Sequence, residues 1–348
     1  MNQITELMTD GVCAVPVQET DLPLSVVVPC YNEEEVLQAL YDRLCPACEK
    51  VVGSNFEIVL VNDGSRDRTW EIMSDLSAKD YRVVSVNLSR NHGHQLALTA
   101  GLSVCRGDRI LIIDADLQDP PELLGDMMAR MDEGFEVVYG QRAKRAGESW
   151  FKKASAAAFY RFLRSLTDVD IPVDTGDFRL MSRRALRALQ SMPEQHRFIR
   201  GMVTWIGFKQ CPLPYDRAER FAGETKYPLR KMIRFALDAI TSFSIFPLRV
   251  ASHFGVALAV AGVMMLGYTL YGWFAHDVIE GWTSVMTAVL ILGSGQMLFL
   301  GVLGEYLGRL YMESKRRPLF IIDDIVCSEG KNAASKSTTI AKRAALKV

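Results

Sequence analysis

The first 140 residues alternate between short apolar runs and longer stretches in which apolar residues recur at helical spacing. The apolar runs, rich in β-branched residues, predict strands at residues 24–29, 56–61, 82–88, 109–114 and 135–139. The intervening stretches predict helices at residues 33–52, 66–78 and 94–105, and a fourth that begins near Pro121. Continuous apolar runs are typical of strands buried on both faces, so we expect a mostly parallel, Rossmann-like α/β sheet. In such sheets, ligands bind beyond the carboxyl ends of the strands.

Two later stretches, residues 250–276 and 281–304, contain no Asp, Glu, Lys or Arg. Each reaches the ~20 apolar residues that a helix needs to cross a bilayer, so we predict transmembrane helices at residues 248–275 and 282–308. The alternative is a buried helical hairpin of a soluble protein. Residues 228–247 combine basic residues with apolar residues at helical spacing. This pattern predicts an amphipathic helix in the membrane interface, or alternatively a packed linker helix.

The charges around these segments predict their orientation. The connecting residues 276–280 contain no Lys or Arg, whereas both outer flanks are basic. The basic flanking residues are Arg230, Lys231, Arg234, Arg249, Arg309, Lys315, Arg316 and Arg317. By the positive-inside rule, both flanks lie in the cytoplasm and the short connection lies outside. Residues 1–22 lack the basic start and apolar run of a secretory signal, so we expect both termini to be cytoplasmic.

These boundaries divide the rest of the chain into a flexible leader at 1–22, a cytoplasmic domain at 23–227 and a C-terminal segment with a basic tail at 309–348. A net charge of -1 excludes a globally basic nucleic-acid-binding protein, and an aromatic content of 9% excludes a disordered chain. Seven scattered cysteines, an odd number, make a disulfide framework an unsuitable interpretation for a cytoplasmic domain.

The strongest chemical signal follows the fourth predicted strand, in the segment Asp114-Ala-Asp116-Leu-Gln118. Side chains two positions apart at a strand end point the same way, and paired carboxylates are costly unless a cation joins them. Oxygen ligands suit Mg²⁺ or Mn²⁺, and such an ion also binds a diphosphate. The alternative is an acidic cluster that merely precedes a helix beginning after Pro120.

Polar and acidic groups also follow the first two strands, in Pro29-Cys-Tyr-Asn-Glu33 and in Asn62-Asp-Gly-Ser-Arg-Asp67. Each segment alone is an ordinary turn or helix cap. Three such clusters converging on one edge of a sheet indicate a ligand site. The sequence contains neither a P-loop nor a dinucleotide-binding glycine motif, which excludes those two nucleotide-binding classes.

These three segments together resemble family 2 glycosyltransferases of the GT-A fold. Four further segments narrow the resemblance: Leu88-Ser-Arg-Asn91, Gly176-Asp-Phe-Arg-Leu-Met-Ser-Arg183, Ala218-Glu-Arg-Phe-Ala-Gly-Glu-Thr-Lys226 and Gly304-Glu-Tyr-Leu-Gly-Arg309. With two C-terminal spans, the chain is similar to bacterial polyisoprenyl-phosphate glycosyltransferases, which are relatives of dolichol-phosphate mannose synthase. The nearest branch is that of the bactoprenol glucosyl transferases. The resemblance covers roughly residues 24–325.

The resemblance implies a role for individual residues. The residues that match uridine-binding positions are Pro29, Tyr31, Glu33 and Asp63. Asp114, Asp116 and Gln118 match the positions that hold the divalent metal and the diphosphate. Asp177 matches a catalytic base or an orienting carboxylate, with a structural cap as the alternative. The basic residues expected near the acceptor phosphate are Arg142, Lys153, Arg179, Arg220 and Lys226.

The implied reaction is inverting transfer of glucose from UDP-glucose to undecaprenyl phosphate in the bacterial inner membrane, for modification of O-antigen or another cell-envelope glycan. Alternatives are an N-acetylhexosamine, galactose, mannose or aminoarabinose donor, a processive polysaccharide synthase, or a non-catalytic membrane regulator. Small residues in the two predicted spans, Gly262, Gly267, Gly293 and Gly295, are compatible with a homo-oligomer. We expect no nucleic-acid partner.

Overall fold

The computed structural model describes residues 22–142, 175–216, 246–274 and 281–328. These residues contain one eight-stranded sheet. The strands are β1 (Leu24–Cys30), β2 (Phe56–Asn62), β3 (Val83–Leu88), β4 (Arg109–Ile112), β5 (Val137–Arg142), β6 (Thr175–Ser182), β7 (Gln210–Tyr215) and β8 (Ile322–Cys327). Their order across the sheet is β7-β5-β6-β4-β1-β2-β3-β8.

The four strands β4-β1-β2-β3 are parallel and form the centre of the sheet. β6 runs antiparallel to both β4 and β5, and β8 runs antiparallel to β3 at one edge, whereas β7 runs parallel to β5 at the other edge. The expected parallel core is therefore confirmed, but the complete sheet is mixed. The difference arises from β6 and β8, two antiparallel strands that the sequence analysis did not predict.

The described residues also contain eight helices, the first six of which cover the two faces of the sheet. They are α1 (Leu37–Val52), α2 (Thr69–Lys79), α3 (His94–Val104), α4 (Leu124–Asp132), α5 (Arg183–Gln190), α6 (Ile199–Trp205), α7 (Phe246–Phe274) and α8 (Trp282–Ser314), with one short 3-10 turn at Pro121–Leu123. On β1, Val26 and Val28 face the core beneath α1, α2 and α4, whereas Val27 faces the core beneath α3, α5 and α6. Two hydrophobic cores, one on each side, explain why the central strands are apolar throughout.

The predicted boundaries agree with the structure most closely in the parallel strands. β4 ends at Ile112 rather than at residue 114, so the paired aspartates lie in the loop that follows the strand. The helix expected from residue 33 begins at Leu37. The unpredicted strand β7 carries Pro212 and Pro214, which are tolerated because it lies at the edge of the sheet.

The helices α7 and α8 occupy the two segments for which we predicted transmembrane helices. Among the described residues, no helix combines the length and the apolar character that define a membrane span. The predicted spans therefore stay a prediction. The predicted interfacial helix, except for its last two residues, lies outside the described residues, as do residues 1–21 of the leader and the tail from residue 329.

Candidate active site

The candidate site lies at the carboxyl ends of β1, β2 and β4, where β6 begins. Because β6 is antiparallel to β4 and Ile112 pairs with Arg179, the start of β6 lies next to the loop that follows β4. Asp177 on β6 and Asp114 in that loop thereby come together with His94, the first residue of α3. Their ligand atoms lie within 4.8 Å of one another.

The buried carboxylate of Asp177 is held by three side chains from two helices, α3 and α6. His94 Nε2 lies 3.0 Å from Oδ2, Gln95 Nε2 donates to Oδ2 at 3.2 Å and Arg200 Nε donates to Oδ1 at 2.8 Å. Arg179 Nη2 lies 3.7 Å from Oδ1. Burial alone raises the pKa of Asp177, but the hydrogen bond with His94 and the charges of Arg200 and Arg179 hold that pKa far below its ordinary range. Asp177 is therefore an ionised anchor.

Asp114 has the opposite electrostatic environment. Its Oδ1 atom is buried and has no hydrogen-bond partner among the described residues, although His94 Nε2 lies 3.6 Å away. Burial raises the pKa of Asp114 to about 6, His94 opposes this, and the charges of Asp177, Asp119 and Asp116 add to it. The negative charge of ionised Asp114 is thus only partly compensated by its surroundings.

The fit of a divalent cation to this site can be judged from Asp114 Oδ1, which has no hydrogen-bond partner among the described residues. Asp116 Oδ1 accepts a hydrogen bond from the backbone of Gln118 at 3.1 Å, across a turn in which Leu117 has a φ of 60°. The turn keeps the carboxylates of Asp114 and Asp116 in one short loop, with the buried Gln118 beside them. A set of carboxylate and amide oxygens fits Mg²⁺ or Mn²⁺. The cationic partners of Asp177 make that carboxylate the less suitable ligand.

The segment expected to hold uridine is built from two interlocked loops. Asn32 N donates to Ser65 Oγ at 3.0 Å, and Glu33 N donates to Thr69 Oγ1 at 2.9 Å. Arg66 N donates back to Asn32 Oδ1 at 2.9 Å. These bonds fix the loop after β1 against the loop after β2. A cavity of about 420 Å³ lies between them, lined by residues 32–36 and 66–67.

The predicted uridine-binding residues differ in their access to solvent. Tyr31 is 43% exposed, whereas Pro29 is buried within β1. The Asp63 carboxylate is also buried, and its two oxygens accept hydrogen bonds from His92 N at 2.7 Å and Gly93 N at 2.9 Å. Burial raises the pKa of Asp63, although these backbone donors oppose the shift. In the described structure Asp63 joins two loops, and its contact with a nucleotide stays a prediction.

The residues expected near the acceptor phosphate are only partly described. Lys153, Arg220 and Lys226 lie outside the described residues. Arg179 is 4% exposed, and it donates to the carbonyl oxygens of Asp177 and Gly176 at 3.3 and 3.2 Å. This buried guanidinium supports the start of β6 instead of presenting a surface to an acceptor, so its expected role stays a prediction.

Arg142 lies at the same end of the sheet as Arg179. It reaches Gly176, where an added Cβ would stand 3.1 Å from its Nη2 atom. Its Nε atom is buried and lacks a hydrogen-bond partner among the described residues. Of the two described basic candidates, Arg142 is the one with polar capacity left for an anion.

Sequence reasoning missed His94, Gln95 and Arg200. His94 and Gln95 open α3, directly beyond the third strand, so their position at the same edge as the aspartates was available as a signal. Arg200 lies on α6, whose position follows only from the tertiary packing. Gln95 links Asp177 to α6, because its Nε2 donates to Asp177 and its Oε1 accepts a hydrogen bond from Ile199 N at 2.9 Å.

These observations define an α/β protein with paired carboxylates beyond the central strands of a mixed sheet, and comparison with known protein families identifies its family. Residues 25–190 match the model of glycosyl transferase family 2, and residues 246–310 match the GtrB C-terminal hairpin. The chain belongs to glycosyltransferase family 2. It is therefore a glycosyltransferase enzyme with an α/β fold of the GT-A type, which confirms the resemblance seen in the sequence.

Several curated relatives cover nearly the same length. An uncharacterized glycosyltransferase of Bacillus subtilis, YkcC, is 47% identical over 308 residues, 88% of this chain and 95% of the relative. The prophage bactoprenol glucosyl transferase homolog of Escherichia coli is 39% identical over 86% of this chain and 98% of its own length. The bactoprenol glucosyl transferase of Shigella phage SfV is 38% identical over the same shares.

Solved structures are more distant. TarS 1-349 of S. aureus in complex with UDP-GlcNAc has a TM-score of 0.45 and 18% identity, over 63% of this chain and 66% of TarS 1-349. Glucosyl-3-phosphoglycerate synthase of Mycobacterium tuberculosis, in complex with Mn²⁺, UDP-glucose and phosphoglyceric acid, has a TM-score of 0.42 and 21% identity. That match covers 63% of this chain and 77% of the synthase.

Proposed function

We propose that this glycosyltransferase transfers glucose from UDP-glucose to undecaprenyl phosphate, with inversion at the anomeric carbon. The observation that carries the proposal is the under-compensated Asp114 oxygen next to Asp116, in a chain that aligns along almost its whole length with bactoprenol glucosyl transferases. Their names specify glucose and bactoprenol for the relatives. For this chain, both substrates and the later use of the glycolipid in a cell-envelope glycan belong to the proposal.

The donor would lie across the carboxyl edge of the sheet. The interlocked loops after β1 and β2 would bind the uridine, and Asp114, Asp116 and Gln118 would hold Mg²⁺ or Mn²⁺. A bound divalent cation neutralises the charge that develops on a leaving diphosphate. The chain's own contribution is positioning, because the buried Asp177 and its partners His94 and Arg200 fix one wall of the site.

The acceptor requires little proton transfer. A prenyl monophosphate is already largely anionic near neutral pH, so its oxygen can attack without a strong general base. Asp177 is unsuited to that role, since the hydrogen bond from His94 and the charge of Arg200 overcome the effect of burial and hold its pKa far below neutral. We assign it instead to orienting His94 and Arg200 at the reacting centre.

The apolar hairpin formed by α7 and α8 suits a lipid acceptor. Many of its large apolar side chains are exposed, among them Val256, Val263, Met264, Met297 and Leu300. We therefore assign the hairpin to the bilayer as two spans and the protein to the bacterial inner membrane, with the glycosyltransferase domain and both termini in the cytoplasm. The basic residues outside the hairpin and their absence from residues 276–280 support this orientation.

The reaction can be tested with full-length protein, Mn²⁺, undecaprenyl phosphate and UDP-glucose labelled in the sugar. We expect label in the organic-extractable lipid, and we expect Asp116→Asn to reduce that label to background while the protein remains in the membrane fraction. A panel of other labelled nucleotide sugars identifies the donor. Label in a polymer would support a processive synthase, and no turnover with any donor would support a regulator; either result overturns the proposal, as would full turnover by Asp116→Asn.

A further inference from the structure

We propose that Asp323 and Asn87 are positioning residues for the donor nucleotide, acting from the far edge of the sheet through a chain of side-chain hydrogen bonds. The inference rests on the proposed function, because it assumes that the loops after β1 and β2 bind uridine. It adds a link between the strand that follows the hairpin and the donor side of the site.

The link begins where the chain returns from α8 to the sheet. Gln195 N donates to Glu313 Oε1 at 2.7 Å, and Gln195 Nε2 donates to the carbonyl oxygen of Arg317 at 2.9 Å. Phe320 and Ile322 then pack against the hydrophobic core beneath α3, α5 and α6. β8 follows directly and pairs antiparallel with β3. The end of the hairpin is thereby fixed to the glycosyltransferase domain.

From β8, a series of side chains crosses two strands. Asn87 Nδ2 on β3 donates to Asp323 Oδ2 at 3.2 Å. Asn62 Nδ2 on β2 donates to Asn87 Oδ1 at 2.7 Å. Asn62 and Asn87 are directly paired across the parallel ladder, so the two amides face each other at the carboxyl ends of their strands.

The series ends in the loops expected to bind uridine. Ser65 N donates to Asn62 Oδ1 at 3.1 Å, and Asn32 N donates to Ser65 Oγ at 3.0 Å. Asn32 has a φ of 54°. Its two neighbours, the exposed Tyr31 and the half-buried Glu33, are both expected to contact the nucleotide. In Asn62 and Asn87 the amide nitrogen donates toward β8 and the amide oxygen accepts from the opposite side, which fixes the orientation of each amide. Asp323 is the charged acceptor that terminates the series.

A structural role for β8 alone is separable from this positioning role. The pairing of β8 with β3 uses backbone groups, so removing the Asp323 side chain leaves the ladder intact. The next residue of the same strand, Asp324, provides a matched control, because its carboxylate accepts a hydrogen bond from Ile325 N at 2.9 Å instead of one from β3.

The test measures UDP affinity calorimetrically on full-length protein with Mn²⁺, together with KM for UDP-glucose and kcat. We expect Asp323→Ala to weaken UDP binding and raise KM by about fivefold with kcat unchanged, the effect of losing one charge-assisted hydrogen bond. Asp323→Asn keeps an acceptor oxygen and should restore affinity to within about twofold of the unmodified protein. Asp324→Ala should match the unmodified protein.

Equal UDP affinity for Asp323→Ala and Asp324→Ala overturns the inference, as does a fall in kcat with unchanged UDP affinity. These outcomes are distinct from failure of the proposed function. If the unmodified protein binds UDP but transfers no sugar to lipid, the proposed function fails, and the UDP affinities of the variants still decide this inference. If the unmodified protein does not bind UDP, both are overturned.

Discussion

At the scale of single residues, the site places two carboxylates side by side in opposite electrostatic states. Asp177 is surrounded by donors and cations, whereas Asp114 is half-buried beside other acids and has a buried oxygen without a hydrogen-bond partner in the described part of the chain. The protein thus stores an unfavourable charge at Asp114, which a cation can relieve.

Asp114→Asn should stabilise the metal-free protein at pH 8. Burial raises the folded-state pKa of Asp114 from 3.8 to about 6, so the ionised side chain costs the folded state about 2–3 kcal/mol above pH 6. As the pH falls below 6, the folded protein takes up the proton, and the cost decreases until the pH reaches the unfolded-state pKa of 3.8. Unfolding in EDTA should therefore show a gain for the variant at pH 8 that shrinks by pH 5.

Mn²⁺ provides the control for this measurement. It should raise the melting temperature of the unmodified protein at pH 8 and leave that of Asp114→Asn nearly unchanged, because a ligand stabilises only the state that binds it. A variant that is less stable than the unmodified protein at pH 8 in EDTA would contradict the electrostatic interpretation of Asp114.

The sequence was informative about Asp114 and Asp116 because both lie in one short segment after a recognisable strand. It was uninformative about Arg200, which reaches Asp177 only because α6 packs beneath the start of β6. The same limit applied to Asp63, whose carboxylate is turned toward the backbone of His92 and Gly93. The residue types at the end of a strand can be read from the local sequence. The direction of a side chain depends on packing against residues that are distant in the sequence.

At the scale of elements, the turn between β2 and α2 depends on one glycine. Gly64 has a φ of 65°, and an added Cβ would lie 2.5 Å from Asn91 N and 2.6 Å from the carbonyl carbon of Arg90. The turn therefore packs directly on the loop between β3 and α3. That loop also supplies the backbone donors to Asp63, so the two loops hold each other in place.

Gly64→Ala should destabilise the protein by about 2–4 kcal/mol, since the substitution adds both a strained left-handed conformation and a contact with backbone that cannot move cheaply. Urea denaturation measures this loss, and UDP affinity should fall with it. Gly125→Ala is the control: it lies in α4, where its nearest new contact is Val51 Cγ2 at 3.7 Å, and it should be neutral or stabilising by about 0.5–1 kcal/mol. Equal stability of the two variants would refute this account of the turn.

Prediction of elements succeeded where the hydrophobic pattern was continuous and failed where it was mixed. β1 to β4 are buried, apolar and separated by helices, so the pattern specifies them. β6 carries the buried Asp177 and Arg179, whose charges are compensated by partners on α3 and α6 and by backbone carbonyl oxygens of β6 itself. β8 is an exposed edge strand with two aspartates, and its partner β3 lies more than 230 residues away along the chain.

At the scale of the whole molecule, the helical hairpin comes, in chain order, between the two strands that form opposite edges of the sheet. β7 precedes it at one edge, and β8 follows it at the other. Its exposed apolar surface is the feature that the glycosyltransferase domain does not cover. We propose that this surface contacts lipid, and the proposal has a direct test.

The double substitution Val256→Lys and Val263→Lys should release the protein from carbonate-washed membranes. The two valines are 65% and 70% exposed and lie seven residues apart, on one face of α7. Each lysine costs about 2.5–3.5 kcal/mol at the centre of a span. The matched control places two lysines in the glycosyltransferase domain, at the exposed Tyr81 and Trp205, and should remain in the membrane. Retention of the α7 variant in washed membranes would argue against lipid contact at this face.

The late position of β8 has a consequence for biosynthesis. During translation, β3 emerges early and its outer edge remains without a strand until residues 322–327 are made. The hairpin is synthesised before those residues, so the sheet is completed only after α7 and α8 have been made. A nascent chain arrested between residues 314 and 322 would display an open strand edge, a recognised site for chaperone capture or aggregation.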